Sequence, residues 1–219
     1  MKTTDSRHRF RMYPNLIKNM TLTAPNQLWV SDITYIRVGH AFIYLFLITD
    51  AFSHKIIGWS LALDLSAENA IEALKMAIEQ LPEETKQLLK DKKHTLIHHS
   101  DRGSQYCCNE YVKILKKEEI AISMTENGDP LENAIAERVN GILKTEWIND
   151  KHLTDFVSAK EFIMRIIYLY NYQRPHQSIS YLTPDIVHST GANTKRMWKN
   201  YWQKKDEVSS TVCATNSCN

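Results

Sequence analysis

Residues 28–63 read LWVSDITYIRVGHAFIYLFLITDAFSHKIIGWSLAL and consist of three apolar segments joined by two short links. The segments, at Leu28–Arg37, Ala41–Thr49 and Lys55–Leu63, are rich in the β-branched and aromatic residues that favour strands. The links are short enough for hairpins, so the stretch predicts an antiparallel three-stranded meander. Within the third segment, Gly58 predicts a β-bulge.

Helical and strand patterns alternate after the meander. The predicted elements are a helix over Ala67–Gln80, a strand over Thr95–His99, a helix that begins at Ser104, a strand over Ile120–Ser123, and helices over Leu131–Ile148 and Ser158–Tyr172. Three meandering strands followed by alternating units predict an α/β fold, with a mixed five-stranded sheet and helices on both faces.

The composition of the 219 residues is that of a globular chain, with 43% hydrophobic and 24% charged residues. This balance excludes a disordered chain and an integral membrane protein. The longest apolar run, Ala41–Ile48, is too short to cross a bilayer, and residues 1–10 lack the apolar segment of a secretory signal. None of the four cysteines has zinc-finger spacing, which indicates a reducing, cytoplasmic environment.

The net charge of +2 conceals an uneven distribution along the chain. Residues 1–20 hold five Lys/Arg and one acid, residues 21–137 hold eleven bases and seventeen acids, and residues 138–205 hold eleven bases and five acids. An acidic centre between basic ends suits a metal site that acts on a polyanion. An ordinary solvated surface explains the same distribution equally well.

Asp32 lies in the middle of the first predicted strand. Aspartate is a poor strand former, and an unpaired buried carboxylate is costly, so a metal ion is the simplest compensating partner. The alternative is an edge strand on which Asp32 faces water, and for this residue alone that alternative is favoured.

Asp101 follows a short predicted strand in HTLIHHSDRGSQY, residues 94–106. Ligand sites of open α/β sheets gather at the carboxyl ends of strands. Arg102 and the backbone N–H groups at the start of the Ser104 helix are suitable hydrogen-bond donors to a phosphate. A plain turn at Asp101–Gly103 would not need so many functional side chains, which favours a site here.

Glu137 lies in a predicted helix, LENAIAERVNGILKTEW, residues 131–147. The predicted apolar face consists of Ile135, Val139, Ile142 and Leu143, whereas Glu137 shares the opposite side with Asn140, Gly141 and Lys144. A solvated helix face is the usual location of such residues, and Glu132 is a rival for the acidic role.

A divalent metal site is better supported by the three carboxylates together, Asp32, Asp101 and Glu137, than by any one of them alone. Neighbouring strands lie ~5 Å apart, so the two aspartates can converge at one end of a sheet, and a packed helix can add the glutamate. Three carboxylates without His or Cys partners suit Mg²⁺ or Mn²⁺. Two such ions ~3.5–4 Å apart are a known device for in-line phosphoryl displacement.

At this point the sequence resembles a known family, the insertion-sequence transposases related to retroviral integrases, or Asp-Asp-Glu recombinases. The matching motifs are WVSDITYI around Asp32, HSDRGSQY around Asp101, ENAIAERVNGILKTEW around Glu137, and YNYQRPHQSISYLTP at residues 170–184. Thirty-five residues separate Asp101 from Glu137, which is the spacing typical of this branch, and Lys144 supplies its basic residue two turns past the glutamate.

The resemblance implies a ribonuclease H-like fold and Mg²⁺-dependent cutting of transposon ends, followed by joining of a 3′-hydroxyl to target DNA. It implies that Asp32, Asp101 and Glu137 are catalytic metal ligands for two ions of Mg²⁺ or Mn²⁺, and that Lys144 contacts DNA near the reacting phosphate. It also implies a homo-oligomer on DNA in the bacterial cytoplasm, associated with the nucleoid. The predicted organisation is a basic arm at residues 1–27, a catalytic core at residues 28–188 and a basic extension with a disordered tail at residues 189–219.

Further basic residues are predicted to contact nucleic acid. With Lys144, these are Arg102, Arg138, Arg174 and His176. By contrast, His98 and His99 point to opposite faces of a strand and are not expected to share a metal ion. The segment at residues 194–205, TKRMWKNYWQKK, either binds phosphates or packs as an amphipathic helix.

Family members usually carry an upstream helical DNA-binding segment, for which this chain has no room. We therefore expect either the second frame of a two-frame element, whose upstream frame encodes a helix-turn-helix protein, or a truncated copy, or a start site placed too late. Two alternatives to a transposase stay open. One is a non-catalytic DNA-binding or oligomerising regulator, and the other is a ribonuclease H-like nuclease that cuts without joining.

Overall fold

The computed structural model describes residues 8–18, 20–126 and 133–192. Glu132, most of the turn-rich loop that follows Met124, and the basic segment at residues 194–205 therefore lie outside the described residues. In chain order the elements are β1 (Leu28–Val38), β2 (Ala41–Asp50), β3 (Ile56–Ala62), α1 (Ala67–Glu79), α2 (Glu83–Lys90), β4 (Ile97–Ser100), α3 (Ser104–Cys107), α4 (Asn109–Lys117), β5 (Ala121–Met124), α5 (Ala134–Leu143), a π-helical turn (Lys144–Ile148), α6 (Phe156–Tyr172), a 3₁₀ turn (Gln177–Ile179) and α7 (Pro184–Thr190).

The five strands form one mixed sheet in the order β3-β2-β1-β4-β5. The pairs β1–β2 and β2–β3 are antiparallel, and the pairs β1–β4 and β4–β5 are parallel. The predicted meander and the mixed five-stranded sheet are therefore confirmed. Strand β1 lies in the centre of the sheet, so its residues are covered from both sides.

Helices cover both faces of the sheet, as predicted. On one face, Trp29 and Phe46 pack in a cluster with the buried side chains of α1 and α4. On the other face, Ile36 and Leu45 pack in a cluster with α5 and α6. The alternation of side chains along β1 separates the two cores, with odd-numbered residues toward α1 and even-numbered residues toward α5.

Gly58 lies at a register irregularity between β2 and β3, as the sequence predicts. The structure adds a second reason for glycine here. A Cβ atom at this position would lie 2.2 Å from the backbone oxygen of Ala73, because α1 crosses directly over the strand. Glycine is therefore required for the close approach of α1 to the sheet.

Two short helices, α2 and α7, were not predicted from the sequence. In α2 the only buried residue is Leu89, and in α7 the buried residues are Pro184 and Val187, so neither segment carries an extended apolar stripe. The helix predicted from Ser104 is interrupted at Cys108, which has the extended backbone angles φ −64° and ψ 151°. None of the helices formed by the described residues is long and apolar enough to cross a membrane.

Candidate active site

Asp32 and Asp101 lie on neighbouring parallel strands. The register of β1 with β4 ends at the pair Val30–His99, and its continuation by two residues brings Asp32 opposite Asp101, just past the end of β4. Paired residues of parallel strands point to the same face, and the strands are ~4.8 Å apart. The two carboxylates predicted from the sequence therefore face the same side of the sheet, toward α5.

The Asp32 carboxylate is held by two hydrogen bonds. Its Oδ1 accepts from the backbone N–H of Ile33 at 2.9 Å, and its Oδ2 accepts from the side-chain amide of Asn140 at 2.7 Å. Burial raises the pKa of Asp32 to about 6, and the negative charge of Asp101 acts in the same direction. The two hydrogen bonds lower this pKa but do not cancel the effect of burial.

Asp101 lies in the turn that enters α3. Its Oδ1 accepts from the backbone N–H of Gly103 at 2.9 Å, which fixes the carboxylate at the start of the helix. Burial, with a contribution from the Asp101 charge, raises the pKa of the Cys107 thiol to about 11. Cys107 is therefore a protonated core residue at neutral pH and not a thiolate nucleophile.

Glu137 is presented by α5, which two asparagines attach to β1. Asn133 donates to the backbone oxygen of Ser31 at 3.1 Å, and Asn140 donates to Asp32. Glu137 lies between these anchors, one turn from each, and its side chain is exposed. Its charge also raises the pKa of Asp32, although it is the weakest of the contributions.

The three carboxylates do not form a preassembled metal site. Among residues 8–18, 20–126 and 133–192, no three His, Cys, Asp or Glu side chains form a group that could hold a metal ion. Asp32 and Asp101 are brought together, while Glu137 lies at the edge of the pair. Their donor atoms are all carboxylate oxygens, which is the donor set that Mg²⁺ and Mn²⁺ prefer.

Lys144 begins the π-helical turn that continues α5. Its ammonium lies 4.3 Å from the centre of the Tyr35 ring, within the range of a cation–π contact. Burial lowers the pKa of Lys144, and the charge of Asp32 opposes this effect, so the ammonium is within electrostatic reach of the carboxylates. The turn itself, with a hydrogen bond of 2.9 Å from the Asn149 N–H to the Lys144 oxygen, belongs to a class that is frequent at functional sites.

Comparison with known proteins identifies the family. Two families described as integrase core domains match residues 23–130 and residues 118–184. The transposase for insertion sequence element IS904 of Lactococcus lactis is 32% identical over 193 residues, which cover 82% of this chain and 72% of that protein. The chain belongs to the insertion-sequence transposase family. Its matched residues include Asp32, Asp101 and Glu137.

Two other insertion-element relatives are longer than this chain. The 31 kDa protein of insertion element IS600 from Shigella sonnei is 34% identical over 186 residues, covering 83% of this chain and 64% of that protein. The putative transposase of IS986/IS6110 from Mycobacterium tuberculosis is 38% identical over 125 residues, which cover 57% of this chain and 44% of that protein. The chain thus spans between about half and two thirds of the length of these two relatives.

Solved structures share the fold of this transposase core. The HTLV-2 integrase catalytic core domain in complex with magnesium aligns with a TM-score of 0.55 and 19% identity, over 75% of this chain and 97% of that chain. The catalytic domain of Mos1 mariner transposase aligns with a TM-score of 0.52 and 11% identity, over 65% of this chain and 70% of that chain. At such low identities the likeness concerns the fold alone, which is the predicted ribonuclease H-like fold.

The two strand histidines of the transposase core point to opposite faces. His98 Nε2 lies 2.7 Å from Ser31 Oγ and 2.8 Å from the hydroxyl of Tyr111, whereas His99 Nδ1 lies 2.8 Å from Ser123 Oγ. Burial lowers the pKa of His98 to about 3, so its ring is neutral at physiological pH. This arrangement agrees with the prediction that His98 and His99 do not share a metal ion.

The predicted DNA contacts occupy different environments. Arg138 is exposed and Arg102 is half-buried. Arg174 makes a two-pronged ion pair with Glu146, in which its Nε donates at 2.6 Å. His176 is 4% exposed, packs edge-on against a tyrosine ring, and has its pKa lowered to about 3 by burial. A direct contact of His176 with a phosphate, as predicted, does not fit this placement, because the ring is both neutral and covered.

Asn140 is the site residue that the sequence reasoning missed as a functional group. The predicted apolar face of α5 places Asn140 on the side of Glu137, but the buried residues are Ala136, Val139, Asn140 and Leu143. A buried asparagine requires a hydrogen-bond partner, but the predicted phase of α5 left Asn140 exposed, so no such signal was available from the sequence.

Proposed function

We propose that this chain is the catalytic core of a DNA transposase, which cleaves phosphodiester bonds at transposon ends and joins the resulting 3′-hydroxyl to target DNA. The proposal depends on one observation above all. Asp32 is half-buried and lies beside Asp101; burial first, and the negative charge of Asp101 second, raise the pKa of its carboxyl to about 6, and a divalent cation would offset both effects. Membership of the transposase family supports the choice of DNA as substrate.

We infer that Asp32, Asp101 and Glu137 hold two ions of Mg²⁺ or Mn²⁺. The HTLV-2 integrase core, which shares the fold, was solved in complex with magnesium. Because Glu137 is exposed at the edge of the aspartate pair, its side chain has to turn toward Asp32 on metal binding. When bound, the ions would activate the attacking oxygen and stabilise the leaving oxygen of an in-line displacement.

The chain's own residues prepare the site for this reaction. The Ile33 N–H and the Asn140 amide orient Asp32 and favour its ionised form, and the Gly103 N–H does the same for Asp101. Lys144 provides a positive charge beside the carboxylates, where it contacts the phosphate next to the scissile bond. Electrostatic stabilisation and positioning of this kind contribute most to phosphoryl transfer.

The surroundings of the site supply further contacts. Arg138 is exposed and available for a DNA phosphate, Arg102 is half-buried with its charge acting on Glu126, and Arg174 would first have to leave Glu146. We also propose a homo-oligomer on paired DNA ends, a helix-turn-helix partner encoded upstream, and a nucleoid location in a bacterial cytoplasm. The division into an arm at residues 1–27, a core at residues 28–188 and an extension at residues 189–219 stays a prediction.

The test is joining of labelled DNA, carrying the ends of the element that encodes the chain, to a target plasmid in Mg²⁺. We expect joining by the wild type, loss of at least a thousandfold for Asp101→Asn, and no change for Asp150→Asn, an exposed aspartate beyond the π-helical turn. Equal joining by wild type and Asp101→Asn would overturn the assignment. Cleavage without joining would favour a nuclease, and DNA binding without either reaction would favour a regulator.

A further inference from the structure

A cleft opens beside the candidate active site, and of its lining residues the proposed function uses only Lys144. One wall is the β1–β2 hairpin with Tyr35, Arg37 and Phe42, and the other is the segment from Lys144 to Thr154 that connects α5 to α6. The cleft has a volume of about 760 Å³, within the size range of small-ligand sites. The backbone N–H of Gly39 donates to the Leu153 oxygen at 2.8 Å and ties the two walls together.

The charged groups that line the cleft are basic. They are Arg37, Lys144 and Lys151, with His40 and His152 beside them. Among the described residues that line the cleft, none is acidic. Arg37 donates to the Gly39 oxygen, and Lys144 and Lys151 lie over the rings of Tyr35 and Phe162, so none of these contacts neutralises the positive charge. Basic side chains around a concave surface attract a polyanion.

Two aromatic rings form an ordered platform in this basic cleft. Phe42 is 41% exposed, and its ring meets the Tyr35 ring at 5.4 Å with an interplanar angle of 89°. Arg37 and Phe42 are paired directly across the hairpin, so their side chains stand on the same face of the ribbon. A rigid strand position therefore presents an exposed ring beside a guanidinium group.

Tyr35 connects the cleft to the carboxylates. The Lys144 ammonium lies over the Tyr35 ring, and the negative charge of Asp32 raises the pKa of this ammonium. Because Lys144 both lines the cleft and lies within electrostatic reach of Asp32, a nucleic-acid strand bound at the carboxylates can continue into the cleft.

We propose that this cleft binds a short segment of unpaired, single-stranded DNA next to the scissile phosphate, with a base stacked on Phe42 and phosphates bound by Arg37 and Lys151. Duplex DNA has its bases stacked on one another, so their faces are not available to a side chain, whereas an unpaired base can stack on an aromatic ring. The choice of DNA as ligand rests on the proposed function, but binding itself requires neither a metal ion nor catalysis.

The test compares variants of the full chain by fluorescence anisotropy with labelled oligothymidylate and with a labelled duplex of equal length, in EDTA. Phe42→Leu keeps an apolar side chain but removes the ring, and we expect about a tenfold loss of affinity for the single strand with little change for the duplex. Phe42→Trp should retain the affinity of the wild type. Because Phe42 is exposed, both variants are expected to fold, and circular dichroism checks this.

The basic wall is tested separately. Lys151→Gln should reduce the salt dependence of single-strand binding by about 0.7 in the slope of log K against log salt, the value for one lost phosphate contact. The matched control is Lys75→Gln, an exposed lysine of α1 on the other face of the sheet, which should leave the slope unchanged.

Three results would overturn the cleft proposal: single-strand affinity of Phe42→Leu within twofold of the wild type, an equal loss for single strand and duplex, or the same salt slope for Lys151→Gln as for wild type. Failure of the proposed function gives a different result. In that case joining in Mg²⁺ is absent, while the dependence of single-strand binding on Phe42 in EDTA persists.

Discussion

The Asp32 carboxylate is subject to opposing influences. Burial and the charge of Asp101 favour its neutral form, while the hydrogen bonds from Ile33 and Asn140 favour its ionised form. The resulting pKa of about 6 leaves the group mostly charged at neutral pH, but at a cost to the folded state. Such residues are kept for function at the expense of stability.

Replacement of Asp32 by asparagine should therefore stabilise the fold while abolishing activity. The folded-state pKa lies above the ordinary aspartate value of ~3.9, so ionisation above that pH destabilises the wild type progressively until about pH 6. At pH 7.5 we expect Asp32→Asn to raise the free energy of unfolding by about 1–2 kcal/mol in urea titrations. The gain should shrink as the pH is lowered toward 4.

Metal binding supplies the second half of this prediction. Addition of Mg²⁺ should raise the melting temperature of the wild type and leave that of Asp32→Asn unchanged, because the variant lacks a carboxylate ligand. The exposed Asp150→Asn variant should behave as wild type in both measurements. An Asp32→Asn variant that is less stable than wild type at pH 7.5 would contradict the prediction.

Asn140 is expected to set the pH range of catalysis. Its amide lowers the pKa of Asp32, so Asn140→Ala should move the acidic limb of the pH–rate profile for strand cleavage upward by about one pH unit. The matched control is Asn133→Ala, which also removes a buried amide, at the N-cap of α5, but one that bonds to a backbone oxygen. If both variants lose rate at every pH without a displaced limb, Asn140 has only a structural role.

Sequence reasoning selects the two aspartates as candidates because each conflicts with its surroundings. Asp32 interrupts an apolar strand and Asp101 follows one, and both conflicts are visible in the sequence. Asn140 could not be assigned in this way, because the phase of α5 differs from the predicted one and buries it. Which side of a helix is buried depends on the packing of the helix against the sheet, and the position of a single polar residue does not report it.

At the level of elements, length and apolar content decide what a sequence predicts. The long strands β1 and β2 were predicted to within one residue at each end, whereas α2 and α7 were missed because few of their residues are buried. The π-helical turn at Lys144–Ile148 has no sequence signature, because it differs from an α-helix only in its hydrogen bonds, in which each N–H donates to the carbonyl five residues earlier.

Two glycines give a test of how closely α1 packs on the sheet. Gly58→Ala would place a Cβ 2.2 Å from the Ala73 oxygen, so α1 has to move and we expect a loss of about 2–4 kcal/mol in the free energy of unfolding. Gly141→Ala, in α5, meets nothing within 4 Å and should stabilise by about 0.5–1 kcal/mol through helix propensity. Urea titrations measure both, and equal effects of the two substitutions would show that the contact at Gly58 is not tight.

At the scale of the whole molecule, α6 presents an apolar stripe that none of the residues described by the structure covers. One side of this helix, which includes Ile163, Ile166 and Tyr170, is buried against the sheet, and the stripe lies on the other side. Four exposed apolar residues recur on this other side, with exposed fractions of 67% for Val157, 58% for Met164, 53% for Tyr168 and 46% for Tyr172, and the exposed Glu161 interrupts them. An exposed apolar stripe of this length is typical of a protein–protein interface, and a second copy of this chain is the occupant that an oligomer on DNA would supply.

The stripe predicts which substitutions would dissociate an oligomer. In Met164→Glu and Tyr168→Glu a charge would be buried in the interface without a partner, so sedimentation velocity should show a shift from dimer to monomer for each variant. Both side chains are more than half exposed in the single chain, and the circular dichroism spectrum should therefore stay that of the wild type. Leu63→Glu, at a position that is 68% exposed outside α6, is the matched control and should leave the dimer intact. Dissociation by Leu63→Glu, or a dimer that persists in both α6 variants, would mean that the chains associate through another surface.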